Sequence, residues 1–265
     1  MHEELVSVIM PTFNASRFLA DSIDSILTQT YSNLELLITD DHSSDGTPGI
    51  LKEYAAKDPR VKVEILVENT GPGVARNKSI ERAQGRYIAF CNSDDRWFPE
   101  KLEKQILHME EHDSALCGSS YLICDENNQV RGVNISPDYL TLGMEKHDNK
   151  IGCLTAIYDV KRLGRKFYMP SIRKRQDWAL FLDILKECHE CYCLTEPLAY
   201  YRQRKNSVSS NKFALIKYNV NVYETVFGYS KLKAYCYFLF YFLPTWYLKI
   251  LKRKKDSRQW LATHV

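Results

Sequence analysis

Through its first 115 residues the chain alternates short apolar, β-rich runs with segments of helical period. Residues 5–10, 34–39, 61–67 and 87–91 read as strands, each bounded by turn formers. Between the first two runs, Leu19, Ile23, Ile26 and Leu27 fall on one helical stripe, with Asn14 or Ser16 placed to cap it. Ile50, Leu51, Tyr54 and Ala55 repeat that pattern more briefly, and Pro99 suits the first turn of a further helix carrying Leu102, Ile106 and Leu107. This βαβαβ order predicts an α/β fold, a mostly parallel, Rossmann-like sheet flanked by helices. Ligands of such sheets bind beyond the carboxyl ends of the strands, so the residues after each strand carry the functional information.

Composition narrows the rest. At 265 residues, 45% hydrophobic and 26% charged, the chain has the make-up of an ordinary globular protein, which excludes a disordered, collagen-like or polytopic membrane chain. The net charge of +3 hides an asymmetry: residues 202–258 hold thirteen Lys/Arg against two acids, a local +11 that leaves −8 elsewhere. Met1-His2-Glu3-Glu4 is acidic and lacks a basic leader, so no signal peptide is expected. The eight cysteines lie mostly in strand-like segments of a chain too large to need staples, which predicts reduced thiols. Cys188-His189-Glu190-Cys191-Tyr192-Cys193 clusters soft ligands, but with no second ligand pair elsewhere a zinc site is not expected.

Three post-strand segments are polar and acidic: Pro11-Thr12-Phe13-Asn14, Asp40-Asp41-His42-Ser43-Ser44-Asp45-Gly46-Thr47, and Asn92-Ser93-Asp94-Asp95. A single loop Asp is ordinarily a turn or cap residue. Two acidic clusters on one sheet edge repel each other unless a cation compensates. Hard oxygen ligands favour Mg²⁺ or Mn²⁺, ions usually completed by substrate phosphates.

These runs, with Val6-Ser7-Val8-Ile9-Met10 before the first and Gly73-Val74-Ala75-Arg76-Asn77 between the second and third, resemble glycosyltransferase family 2. Gln176-Asp177-Trp178 resembles its later acidic motif, and Tyr201-Arg202 with Ser207-Val208-Ser209-Ser210 resembles the end of its catalytic domain. The resemblance implies a GT-A fold over residues 1–210, a nucleotide-sugar donor, a divalent metal (Mn²⁺ or Mg²⁺) and inversion at the anomeric carbon. It places the nucleoside half at about 1–115 and the acceptor half at about 116–210. It assigns the donor to Pro11, Phe13, Asp41, Asn69, Arg76, Asn92, Ser93, Asp94 and Arg204, with Asp41 accepting a uracil imide N–H. Asp94 is the implied metal carboxylate; Asn92 stands where the family has an acid, and Arg204 where it often has a metal-binding His. Asp95 either joins that site or caps the helix near Pro99. Asp177 is the implied general base, with Gln176 and Trp178 beside the acceptor, although Trp178 also suits the core.

The remaining 211–265 reads as a basic, aromatic, helical tail. Residues 234–248 are uncharged, interrupted by Pro244, and flanked by lysines. Fifteen residues fall short of the roughly 20 that span a bilayer, whereas aromatic rings framed by lysines suit a headgroup interface. The expectation is an inverting hexosyltransferase using UDP-glucose, UDP-galactose or a UDP-N-acetylhexosamine. Its acceptor would be a glycan, such as one carried on undecaprenyl diphosphate in O-antigen or capsule assembly, met at the inner face of the cell membrane. A sugar nucleotidyltransferase would need a Gly-rich phosphate loop that Pro11-Thr12-Phe13-Asn14 does not provide. A non-catalytic sugar-nucleotide module conflicts with Asp94 and Asp177. Nucleic acid is not expected as a partner, because the aromatics form an apolar block and do not interleave with the basic residues.

Overall fold

The computed structural model describes residues 4–204 and 212–264. β1 (Val6–Thr12), α1 (Leu19–Leu27), β2 (Leu34–Asp40), α2 (Thr47–Lys57), β3 (Val61–Ile65), α3 (Pro72–Arg82) and β4 (Tyr87–Phe90) follow the alternation read from the sequence. The four strands pair in parallel in the order β3-β2-β1-β4. β1 and β2 are buried at every position, which is why they are continuous apolar runs. Val6, Val8, Met10, Leu36 and Ile38 meet α1 and α2 on one face, while Ile9 and Leu37 meet α3 on the other.

One local expectation fails. Neither Asn14 nor Ser16 caps α1, whose first turn is closed by the Ala15 carbonyl accepting from Phe18 and Leu19. Asn14 sits in the left-handed region (φ 47°) and turns to the loop after β2, where its side chain accepts from the Ser44 N–H.

The sheet then grows by long-range pairing. After β5 (Arg96–Trp97), α4 (Lys101–Glu111), β6 (Leu116–Cys117), β7 (Ser119–Cys124), β8 (Val130–Asn134), β9 (Tyr139–Thr141) and α5 (Leu142–His147) comes β10 (Ile157–Asp159), which enters antiparallel beside β4 and carries β6 outside it. α6 (Val160–Leu163), α7 (Gln176–Cys188), β11 (Glu190–Tyr192) and β12 (Leu194–Arg202) follow. β12 lies between β5 and β7 in a second sheet completed by β8, and β9 pairs with β11. Both sheets therefore draw strands from either side of residue 115. α7 lays Leu180, Phe181, Ile184 and Leu185 against the α3 face of the main sheet.

The C-terminal end is helical: α8 (Lys212–Phe227), α9 (Lys231–Tyr237), one π turn (Phe238–Phe242) and α10 (Leu243–His264). The π turn falls just before Pro244, whose ring nitrogen has no hydrogen to give the preceding turn. Val220, Tyr223, Ala234, Phe238 and Phe242 close over Trp178 and Leu182 of α7. α10 then crosses to β8, where the Ser257 hydroxyl donates to the Val133 carbonyl (3.1 Å) and accepts from its N–H (3.0 Å). Gly132 permits that approach, since a Cβ there would stand 2.5 Å from Ser257 Oγ. Among the described residues no helix is long and apolar enough to cross a membrane.

Candidate active site

The carboxyl ends of β1, β2 and β4 converge, as the parallel register requires, and short hydrogen bonds knit their loops. Asp40, fully buried, accepts from Thr12 Oγ1 (2.8 Å) and from the Ser43 N–H and hydroxyl (2.9 and 2.5 Å). It is therefore a strut between the β1 and β2 loops. Asp41 is 2% exposed; one oxygen accepts from the Thr70 N–H (2.7 Å) and the other from the Gly71 N–H (2.8 Å). Gly71 holds φ 93°, a backbone conformation that glycine adopts without strain. Asp41 thus shapes the β3–α3 loop, and a uracil imide must use a lone pair those bonds leave over. Asn69 is exposed and donates to the Asp41 carbonyl (3.0 Å), Pro11 is buried in β1, and Phe13 stands half out at the edge.

The loop after β4 concentrates charge. Asp95 is 1% exposed and accepts from the Asn92 amide (2.8 Å) and the Arg202 N–H (3.0 Å), so it clamps this loop to the end of β12. This corrects both roles expected of it, since it neither caps the helix after Pro99 nor faces the site. Burial, with Asp94 beside it, pushes its pKa well above the carboxylate range. Asn92 offers its oxygen to Arg76 of α3 (2.8 Å), whose buried Nε has no hydrogen-bond partner among the described residues. Asp94 forms an ion pair with Arg204 (2.8 Å). Burial raises the Asp94 pKa, against the pull of Arg204 first and of Arg202 and Arg76 behind it. One inward carboxylate ringed by guanidinium groups is a place for phosphate charge. It also fits one Mg²⁺ or Mn²⁺ ion, which needs only one or two carboxylates when a diphosphate completes the shell. Ser93 lies half-buried between these groups.

Arg202 is the residue sequence reasoning undervalued. It is nearly buried, donates to the Asp94 carbonyl (2.9 Å) and to Asn128 (2.6 Å), pairs with Asp21 and lies over the Phe18 ring. It stands in the Tyr201-Arg202 pair, but no local signal separates a buried clamp from a surface cation. Ser207-Val208-Ser209-Ser210, which follows, lies outside the described residues. A cavity of about 300 Å³ opens beside Arg204, lined also by Asn14, Ala15, Phe18 and the Arg17–Glu126 ion pair.

The second carboxylate comes from α7. Asp177 lies in its first turn, half-buried, and among the described residues no side chain claims its carboxylate. Its neighbours tie the start of α7 to α3. Gln176 donates to the Ile172 carbonyl (2.7 Å) and presses on Gly73, where a Cβ would stand 2.5 Å from its Nε2. Asn77 exchanges two hydrogen bonds with Met169 (2.7 and 2.9 Å), tying α3 to the segment before α7. The glycine of the Gly73-Val74-Ala75-Arg76-Asn77 run is thus a point of close contact between the helix bearing Arg76 and the helix bearing Asp177. Trp178 corrects the acceptor assignment. It is 0% exposed, donates to the Glu145 carbonyl (2.9 Å) and packs against Tyr223 and Phe242. The helical end of the chain covers it, so it reaches no acceptor.

The chain belongs to the family described as Glycosyl transferase family 2, whose profile matches residues 7–173. The glycosyltransferase TuaG of Bacillus subtilis (strain 168), named for teichuronic acid biosynthesis, is 42% identical over 87% of this chain and 91% of its own length. The Escherichia coli enzyme WfgD is 38% identical over 82% of this chain and 84% of its own. It is named a UDP-Glc:α-D-GlcNAc-diphosphoundecaprenol β-1,3-glucosyltransferase. The fold superposes on the mannosyltransferase PcManGT of Pyrobaculum calidifontis, solved with GDP-Man and Mn²⁺, with a TM-score of 0.63 at 16% identity, covering 99% and 80% of the two chains.

Proposed function

We propose that the protein transfers a hexose with inversion from a UDP-sugar to a hydroxyl of a glycan carried on a lipid diphosphate, in the synthesis of a bacterial surface polysaccharide. Glucose is the first sugar to test, because the name of the WfgD relative specifies UDP-glucose and an undecaprenyl diphosphate acceptor. The enzyme would work at the cytoplasmic face of the cell membrane, where such an acceptor is presented. The observation that supports this reading is the contact of Gly73 with Gln176, which brings the helix of Arg76 against the start of the helix of Asp177, while Arg204 pairs with Asp94 in the loop beside Arg76.

Asp177 takes the proton of the acceptor hydroxyl, whose oxygen attacks the anomeric carbon. The bond to the diphosphate breaks on the opposite face, and its electrons leave on UDP. Arg76, with its unpartnered Nε, and Arg204 meet the charge that develops there. Mg²⁺ or Mn²⁺ held by Asp94 would supply further neutralisation of that charge. Displaced by phosphate, the guanidinium of Arg204 moves from one anion to another at little electrostatic cost.

The test is UDP release across nucleotide sugars with and without a short-chain lipid-diphosphate N-acetylglucosamine acceptor. Acceptor-dependent release with one UDP-hexose is the expected result, and release that never depends on acceptor would exclude transfer. Asp94→Ala is expected to remove metal-dependent donor binding in calorimetry. Equal donor affinity with and without Mg²⁺ or Mn²⁺ in the parent protein would remove the metal from the scheme.

A further inference from the structure

The tail helices carry a surface that packing against the body leaves unexplained. α10 faces the body with Trp246, Lys249, Arg253 and Ser257, and Lys249 reaches Asp148 and the Asn149 carbonyl. The π turn and the opposite face of α10 expose large apolar groups in register. Phe240, Leu243, Tyr247, Leu248 and Leu251 follow one another at helical spacing, with Phe240 68% and Leu248 64% exposed. The same stripe continues as Lys254, Lys255 and Arg258, and Lys231 and Lys233 flank its other end. Between residues 228 and 264 the only acid is Asp256. Among the described residues of the body there is no comparable cluster: Phe13, Ile65, Val67, Val74, Leu107 and Tyr168 are spread over separate elements and loops.

We infer that this face of α9 and α10 is a docking surface for an anionic lipid bilayer, lying flat in the headgroup layer. Apolar side chains inserted beneath the headgroups and lysines level with the phosphates are what such a layer selects. A second copy of the chain is the poorer match, because it would set one line of lysines against another with a single acid to offset them. The surface is joined to the site by packing. Phe242 of the π turn lies against Trp178, the residue after Asp177, so docking would hold the helix that carries Asp177 at a set height above the membrane. The inference rests on the proposed membrane-borne acceptor for its purpose, but not for its test.

The full chain is mixed with vesicles of phosphatidylcholine containing about 30% phosphatidylglycerol, and with phosphatidylcholine alone, and bound protein is measured by flotation. Binding to the anionic vesicles, weakened by added salt, is expected. Lys254→Ala with Lys255→Ala should lower the partition roughly twenty-five-fold, at about fivefold per lysine. Tyr247→Glu with Leu248→Glu should lower it at least about tenfold. Both pairs are exposed, so circular dichroism and UDP release with a water-soluble acceptor should match the parent. Absence of binding to the anionic vesicles would overturn the inference, and so would variants that bind like the parent. A concentration-dependent dimer that the glutamate pair dissolves, without vesicle binding, would assign the face to a second copy. If no nucleotide sugar supports transfer to any acceptor, the catalytic proposal fails, while flotation by itself still upholds or overturns the docking surface.

Discussion

At the carboxyl edge of the main sheet, charged side chains are buried; on the outer face of α10, apolar side chains are exposed. Both run against the ordinary partition of residues between core and water, but they are managed differently. Asp40, Asp41 and Asp95 are satisfied within the chain by backbone and side-chain donors, and they fix the loops. Asp94 is held by one ion pair with Arg204, and among the described residues Arg76 Nε and the Asp177 carboxylate have no hydrogen-bond partner, which leaves all three able to meet the proposed donor and acceptor. The α10 stripe has no internal satisfaction at all. Buried charge alone is therefore no guide to a catalytic group in this protein; the proposed roles rest on the capacity left over after the fold has taken its share.

Substitutions can break that contrast, beginning with the largest effect. Asp177→Asn should lower transfer by about 10²–10⁴ while calorimetric UDP binding stays at the parent value; undiminished turnover would leave Asp177 as a helix-terminal acid and nothing more. Phe242→Ala, on the buried side of the tail, should cost about 3–5 kcal/mol in denaturant unfolding. Leu248→Ala, six residues on but exposed, should stay within about 0.5 kcal/mol. Equal losses at the two positions would show that α10 does not pack on the body as described.

Lys101 tests buried charge without function. It is fully buried, bonded to Gln105 (2.6 Å) and set over the Trp97 ring, and burial holds its pKa down to about 7. The unfolded lysine keeps its proton up to about 10.5, so between pH 7 and 9 the unfolded state binds more protons and stability should rise with pH. Lys101→Met should flatten that slope and stabilise the fold at pH 7 by about 1–3 kcal/mol, read from urea unfolding at several pH values. A slope unchanged by the substitution would mean that Lys101 does not titrate in this range. The smallest effect sharpens the site side: Gly73→Ala should lower transfer roughly tenfold by pushing Gln176 and the start of α7. Shortening that side chain with Gln176→Ala in the same molecule should restore it. Failure of the second change to rescue would separate the helix contact from catalysis.

The strands β1, β2 and β4 and the loops after them were legible because each is coded by a short contiguous run. An apolar stretch and its following polar turn need no distant partner to be recognised. β10 was not legible: three residues pair with β4 and β6 only because the chain returns to them, and three residues carry no period. Asn14 misled for a related reason. Its side chain had two polar uses, a cap for α1 or a bond to Ser44 thirty residues away, and only the register of β1 against β2 selects between them.

The order of strands and helices, the acidic loops and the family were therefore present in the linear chain, since local propensity and motif order suffice for them. The division of labour among the carboxylates was not. Asp94 and Asp95 are neighbours of the same type, and what sends one into the site and the other into a clamp is the arrival of β12 with Arg202 and Arg204. Trp178 became core because Tyr223 and Phe242 close over it, and the α10 stripe stayed exposed because Ser257 and Lys249 turn the other face inward. The physical reason is common to all three. A side chain's identity sets what it can bond to, whereas burial and the partners within reach, supplied by distant parts of the chain, decide what it does.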